Sequence, residues 1–111
     1  MTPHGDTWGG LPVVRRLACA GPRTRVAVSG IVTAAAAARL GGVRSYLCRL
    51  EDGTGEITLA FTGRSSVAGL AAGTLCRVEG TARTCEGQLV VFNPEYEFLP
   101  TAHPSGRDGA P

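Results

Sequence analysis

The chain has 111 residues, enough for one domain with one apolar core and too few for a two-domain enzyme. Its 11 cations, all arginine, stand against 9 acids for a formal charge of +2, which is less basic than a protein that coats DNA. No run approaches the roughly 18 apolar residues of a spanning helix, and no basic stretch followed by an apolar one opens the chain, so a soluble cytoplasmic protein is expected.

Residues 1–23 are rich in Gly and Pro, carry the lone Trp8, and hold one short apolar patch, Leu11-Pro12-Val13-Val14. They read as a flexible N-terminal arm. Here Arg15, Arg16 and Arg23 outnumber Asp6. Residues 24–99 are balanced: Arg25, Arg39, Arg44, Arg49, Arg64, Arg77 and Arg83 against Glu51, Asp52, Glu56, Glu79, Glu86, Glu95 and Glu97. Residues 100–111 are polar and rich in Pro and Gly, with nothing to bury, and read as a disordered tail.

Between arm and tail the apolar period is close to two, the period of a half-buried strand. Residues 25–33 make a first strand, with Val26, Val28 and Gly30 on one face and Gly30 allowing a bend or bulge. The alanine run at 34–38 falls in the connection that follows, ahead of Gly41-Gly42. Residues 43–51 and 56–62 make the second and third strands around the turn signal Asp52-Gly53-Thr54-Gly55. That turn sets Leu50 opposite Ile57, Cys48 opposite Leu59 and Tyr46 opposite Phe61, an apolar face. Ser45, Leu47, Arg49 and Glu51, opposite Thr58, Ala60 and Thr62, then form a mixed, small and wet face. Residues 63–73 break the pattern with room for a short helical turn. Residues 74–83 and 88–93 make the fourth and fifth strands around Glu86-Gly87, and Pro94 ends or edges the last. Tyr96, Phe98 and Leu99 form a final apolar patch. Five short strands, the first long and bent, describe an all-β, five-stranded closed Greek-key barrel of the OB-fold kind, with a short helical turn between strands three and four.

The cysteines at 19, 48, 76 and 85 are separated by 29, 28 and 9 residues, which matches no zinc ribbon or finger. His4 and His103 lie in the chain ends. Buried small-hydrophobe roles are expected for the cysteines, with no metal, no cofactor and no structural disulfide.

The run from Leu50 through Phe61 (Leu50-Glu51-Asp52-Gly53-Thr54-Gly55-Glu56-Ile57-Thr58-Leu59-Ala60-Phe61) resembles the hairpin between strands two and three of OB-fold nucleic-acid-binding domains. The stretch 73–80, followed by Gly87-Gln88-Leu89-Val90-Val91-Phe92-Asn93-Pro94-Glu95-Tyr96-Glu97, is similar to the end of the wedge OB domain of RecG-type helicases and to small stand-alone actinobacterial OB-fold proteins. The resemblance spans residues 24–99. It implies binding of single-stranded or junction DNA, or of RNA, without the helicase activity, whose segments this chain lacks.

An OB-fold holds a strand across its second and third strands, between the loop joining strands one and two and the loop joining four and five. On that frame Arg39 and Arg44 fall at the first rim, Arg49 on the sheet face and Arg83 near the second rim. Arg64 lies beyond the third strand and Arg77 on the outer side of the fourth. Arginines bind phosphates and stack on bases. The alternative is a set of solvated charges, several paired with Glu51, Glu79 or Glu86. Phe92 is either a stacking surface or a contact for the C-terminal patch. Tyr46 and Phe61 read as core. The Asp52–Gly55 turn lacks the Lys and the following helix of a phosphate loop. No Ser/His/Asp or Cys/His set is present, so no enzyme is expected. The expected function is weak binding of single-stranded nucleic acid, DNA before RNA, through arginine–phosphate contacts and stacking. The alternative is a protein-interaction module that uses the N-terminal arm and the barrel surface.

Overall fold

The computed structural model describes residues 7–100. In chain order the elements are β1 (Thr7–Trp8), β2 (Leu11–Val14), a 3-10 turn (Leu17–Cys19), β3 (Arg25–Leu40), β4 (Val43–Glu51), β5 (Glu56–Thr62), β6 (Leu75–Cys85), β7 (Gln88–Phe92) and β8 (Glu95–Phe98). Alternate residues turn inward along each strand. Val26, Val28, Val32, Cys48, Leu50, Ile57, Leu59, Phe61, Cys76, Val78, Ala82 and Val91 thereby form one buried cluster. Burial, together with the neighbouring Cys76, pushes the Cys48 thiol up to about 11.

β3 pairs antiparallel with β4 and also with β6; β4 pairs with β5, β5 runs parallel to β7, and β7 pairs with β6. The ring β3-β4-β5-β7-β6 closes on itself, which is the expected Greek-key barrel and leaves no free edge within the ring. The β4–β5 register is the one read from the turn: Glu51 opposite Glu56, Leu50 opposite Ile57, Cys48 opposite Leu59, Tyr46 opposite Phe61. After Pro94, β8 carries the last strand on along β6, with Tyr96 opposite Val78.

Three sequence expectations change. The alanine run is strand, not connection. Ala34, Ala35, Ala36, Ala37 and Ala38 pair with Arg49, Cys48, Leu47, Tyr46 and Ser45, after a bulge at Thr33. Cross-strand pairing overrides the helical preference of alanine. Gly41 (φ 59°) and Gly42 (φ 78°) close a two-residue hairpin of the kind that needs positive φ at both positions. The connection between β5 and β6 is not helical. Leu70 N–H bonds Val67 O and Thr74 N–H bonds Ala71 O. Gly69 (φ 83°) and Gly73 (φ 96°) stand third in these two turns, where a positive φ stops helix propagation. Val67 and Leu70 still plug the barrel, both buried.

The third change concerns the arm. From Thr7 onward it packs on the barrel: β1 pairs with β2, β2 adds parallel to β3 at Val13 and Val14, and Leu17 joins the main core. The rest of the expected arm, residues 1–6, and residues 101–111 of the expected tail lie outside the described residues.

Gly30 marks the point where β3 passes from β6 to β4. A Cβ there would sit 2.5 Å from Glu51 O. Backbone cannot give way as a flexible side chain can, so Gly30→Ala is expected to cost about 1–3 kcal/mol by overpacking. A chemical-denaturation midpoint equal to that of the parent protein would contradict this reading.

Candidate nucleic-acid interface

The β3–β4 hairpin runs past the ring and ends in two arginines. Arg39 and Arg44 are direct cross-strand partners. Arg39 donates through Nη1 to Gly42 O at 2.8 Å. Neither has an acidic partner among the described residues. Arg64 joins them from β5: Gly63 N–H bonds Arg44 O at 2.8 Å, and Arg64 follows it, exposed and also without an acidic partner among the described residues. The expectation of a loop rim at Arg39 and Arg44 is therefore corrected to a strand tip. The tip is tied to the far side of the barrel, because Gly41 N–H donates to Glu86 Oε2 at 2.7 Å in the β6–β7 turn.

The outer face of β4 and β5 is drier than its composition implied. Leu40, Ala60 and Val90 are buried there in a second apolar cluster, with Leu47, Cys85 and Phe92 packed against it. Ser45 is fully buried and Thr58 nearly so. Leu40 is responsible, since the long β3 brings it back over the sheet. What remains open is a groove of about 270 Å³ lined by Ala34, Ala36, Leu47, Arg49, Thr58 and Gln88, without an aromatic side chain. Arg49 projects into it but is held by Glu56 at 2.7 Å. Arg77, on the outer face of β6, pairs with Glu97 at 3.6 Å. Of the three acids expected to pair with arginines, only Glu79 does so among the described residues, and its partner is Arg25. Glu86 holds a backbone N–H, and no described ion pair uses Glu51.

Arg83 and Phe92 belong to a different place. They line an open cleft of about 510 Å³ on the outer face of β6, together with Trp8, Thr81 and Asn93. Phe92 packs against the second apolar cluster rather than in the aromatic group of Tyr96 and Phe98, and it also lines the cleft. Trp8 lies over Arg25, whose guanidinium carbon is 4.0 Å from the ring centroid. Arg25 in turn bonds Glu79 through Nε and Nη2 at 3.3 and 3.2 Å and meets Glu95 at 3.8 Å. Sequence periodicity places Arg25 on the outer face but carries no sign of Trp8, which arrives from a segment remote in the chain.

The N-terminal segment is held by the turn first read only as a hairpin. Leu17 N–H donates to Asp52 Oδ2 at 2.9 Å, and Ala18 N–H donates to Thr54 Oγ1 at 3.0 Å. Burial raises the Asp52 carboxyl, but bonds from Leu17, the Thr54 hydroxyl and the Thr54 and Gly55 N–H groups outweigh it and hold the carboxyl below its ordinary value. A carboxylate lowered on folding stabilises the folded state above its unfolded value, and the contribution is lost as pH falls through the folded value. Asp52→Asn is expected to cost about 1–2 kcal/mol at neutral pH, as charged hydrogen bonds become neutral ones. The gap from the parent protein should narrow on acidification. Equal urea midpoints at neutral pH would contradict this assignment.

No protein-family model matches the chain, and no curated protein sequence matches it. Among solved structures, it is similar to the OB domain of a Thermoplasma acidophilum protein determined in solution by NMR, with a TM-score of 0.62 and 18% sequence identity over 86% of this chain and 93% of that one. At that identity the likeness speaks to architecture: the fold is an OB-type barrel.

Proposed function

We propose that this protein is a non-enzymatic module that binds single-stranded nucleic acid, with phosphates on the edge formed by Arg39, Arg44 and Arg64. The observation that carries the reading is the cross-strand pair Arg39–Arg44, which has no acidic partner among the described residues. Like charges set directly opposite are destabilising. A chain that sets carboxylates against Arg25, Arg49 and Arg77 and leaves these two facing each other suits a polyanion. The OB-type fold supports a nucleic-acid partner in general, and the resemblance of residues 87–97 to the wedge domain of DNA helicases is the ground for placing DNA before RNA. The aromatic-poor groove beside Arg49 favours weak binding with little sequence preference.

A protein-interaction reading has one observation in its favour. Tyr96 and Phe98 on β8 are 38% and 49% exposed. Their rings stack edge-on, 5.7 Å apart, beside Phe61. The arm itself supports that reading less, because β2 is already paired with β3.

Fluorescence anisotropy with labelled single-stranded oligonucleotides at several salt concentrations tests the proposal. Binding is expected in the micromolar range at low salt and should weaken steeply as salt rises. Arg39→Ala with Arg44→Ala should lower affinity and flatten the slope of log K against log salt by about 0.7 for each phosphate that is no longer neutralised. Absence of binding at low salt, or an unchanged slope in the double variant, would overturn it.

A further inference from the structure

We infer that the cleft between Trp8 and Phe92 is a nucleotide subsite, on the opposite side of β6 from the core and away from the β4–β5 face that OB-folds ordinarily use. The inference rests on the nucleic-acid reading above and adds to it a position and a chemistry. The floor is the outward row of β6, where Thr81 and Arg83 project while Gly80 and Ala82 face inward and are buried. The walls are two aromatic rings from distant parts of the chain, Trp8 in β1 and Phe92 at the end of β7. Trp8 is 50% exposed although one of its contacts is the Arg25 guanidinium. Arg25 is committed to Glu79 and Glu95, so its role is to fix the indole.

Arg83 is uncommitted: it has no ion-pair partner among the described residues. It also lines an adjoining pocket of about 230 Å³ with Arg23, Leu11 and Thr81. Arg23 is anchored there through its backbone, at φ 66°, by an N–H bond to Ala82 O at 2.8 Å. Its side chain likewise lacks an acidic partner among the described residues. The two pockets adjoin at Thr81 and Arg83: the larger is walled by the aromatic rings, with its carboxylates Glu79 and Glu95 turned to Arg25, and the smaller is doubly cationic. A planar base suits the larger, a phosphate the smaller, and a threonine hydroxyl lies between them. The larger pocket alone falls within the range of small-ligand sites.

Trp8 is the single tryptophan of the chain, so its emission reports on this cleft. The experiment titrates the full chain with single-stranded oligodeoxythymidine and follows Trp8 emission and the anisotropy of a labelled oligomer in parallel. Quenching of Trp8 along the same isotherm as the anisotropy change is the expected result. Arg83→Ala should weaken both signals together, while its denaturation midpoint stays that of the parent. Trp8→Ala should weaken anisotropy-detected binding about 5- to 160-fold, the worth of one stacked base. Trp8→Phe should restore most of that affinity, which keeps stacking apart from mere docking of the N-terminal hairpin. Anisotropy-detected binding without a change in Trp8 emission, and with Trp8→Ala binding as the parent does, would overturn the subsite and leave the Arg39–Arg44 edge standing. No binding in the anisotropy assay would overturn both.

Discussion

One strand serves two neighbours, and the architecture depends on how it changes partner. β3 pairs with β6 through Ile31 and with β4 from Ile31 onward, so Ile31 faces both Leu75 and Glu51. At the adjacent Gly30 the backbone runs so close to Glu51 O that a side chain has no room. Closing a ring of so few strands needs sharp coiling, and a missing Cβ at Gly30 with a bulge three residues on, at Thr33, is how β3 achieves it. Once the ring is closed, the inward rows form the core and the outward rows are free to carry charge. The surplus length of β3 and β4 runs past the ring as a hairpin tipped with Arg39 and Arg44, which leans back far enough for Leu40 to join Ala60 and Val90 and for Gly41 N–H to reach Glu86.

Position, rather than net charge, then decides what the surface can bind. The barrel is close to neutral, and Arg25, Arg49 and Arg77 are each set against a carboxylate. Exposed pairs of this kind add little stability. Among the described residues, the arginines left without an ion pair then include those at the hairpin tip with Arg64 and those at the β6 cleft, Arg83 and Arg23. Screening acts over roughly 10 Å in ordinary salt, so a nearby phosphate feels these clusters together with the carboxylates beside them: Glu86 at the tip, engaged by a backbone N–H, and Glu79 and Glu95 in the cleft, engaged by Arg25. The acids also build structure. Asp52 and Glu86 both spend carboxylate oxygens on backbone N–H groups, the first holding the N-terminal segment and the second tying the hairpin tip to the β6–β7 turn.

The barrel was legible because the period-two pattern and the turn chemistry agree. Val26 and Val28, Cys48 and Leu50, and Leu59 and Phe61 declare the inner face, and the Asp52–Gly55 turn sets a register that holds pair by pair. The alanine run was not legible as strand, since alanine prefers helix and only the facing β4 residues make it β. The second apolar cluster escaped for a related reason. Leu40 buries Ala60 and Val90 by returning over the sheet, and nothing local to Leu40 encodes that return. Among the site residues, the sequence located the outward arginines but not their partners, because Arg25–Glu79 and Arg77–Glu97 join strands far apart in the chain. Trp8 was visible only as an isolated aromatic, and its place over Arg25 is a tertiary fact.

The central claim is that ion pairing divides the outward arginines into structural and ligand-facing sets. Side-chain Nε–Hε correlations of the arginines, followed by NMR during titration with a single-stranded oligonucleotide, test it most directly. The account predicts progressive shifts at Arg39, Arg44, Arg64 and Arg83, with Arg77, held by Glu97 outside the cleft of Trp8 and Phe92, unmoved. Shifts centred on Arg77, with Arg39 and Arg44 silent, would contradict it.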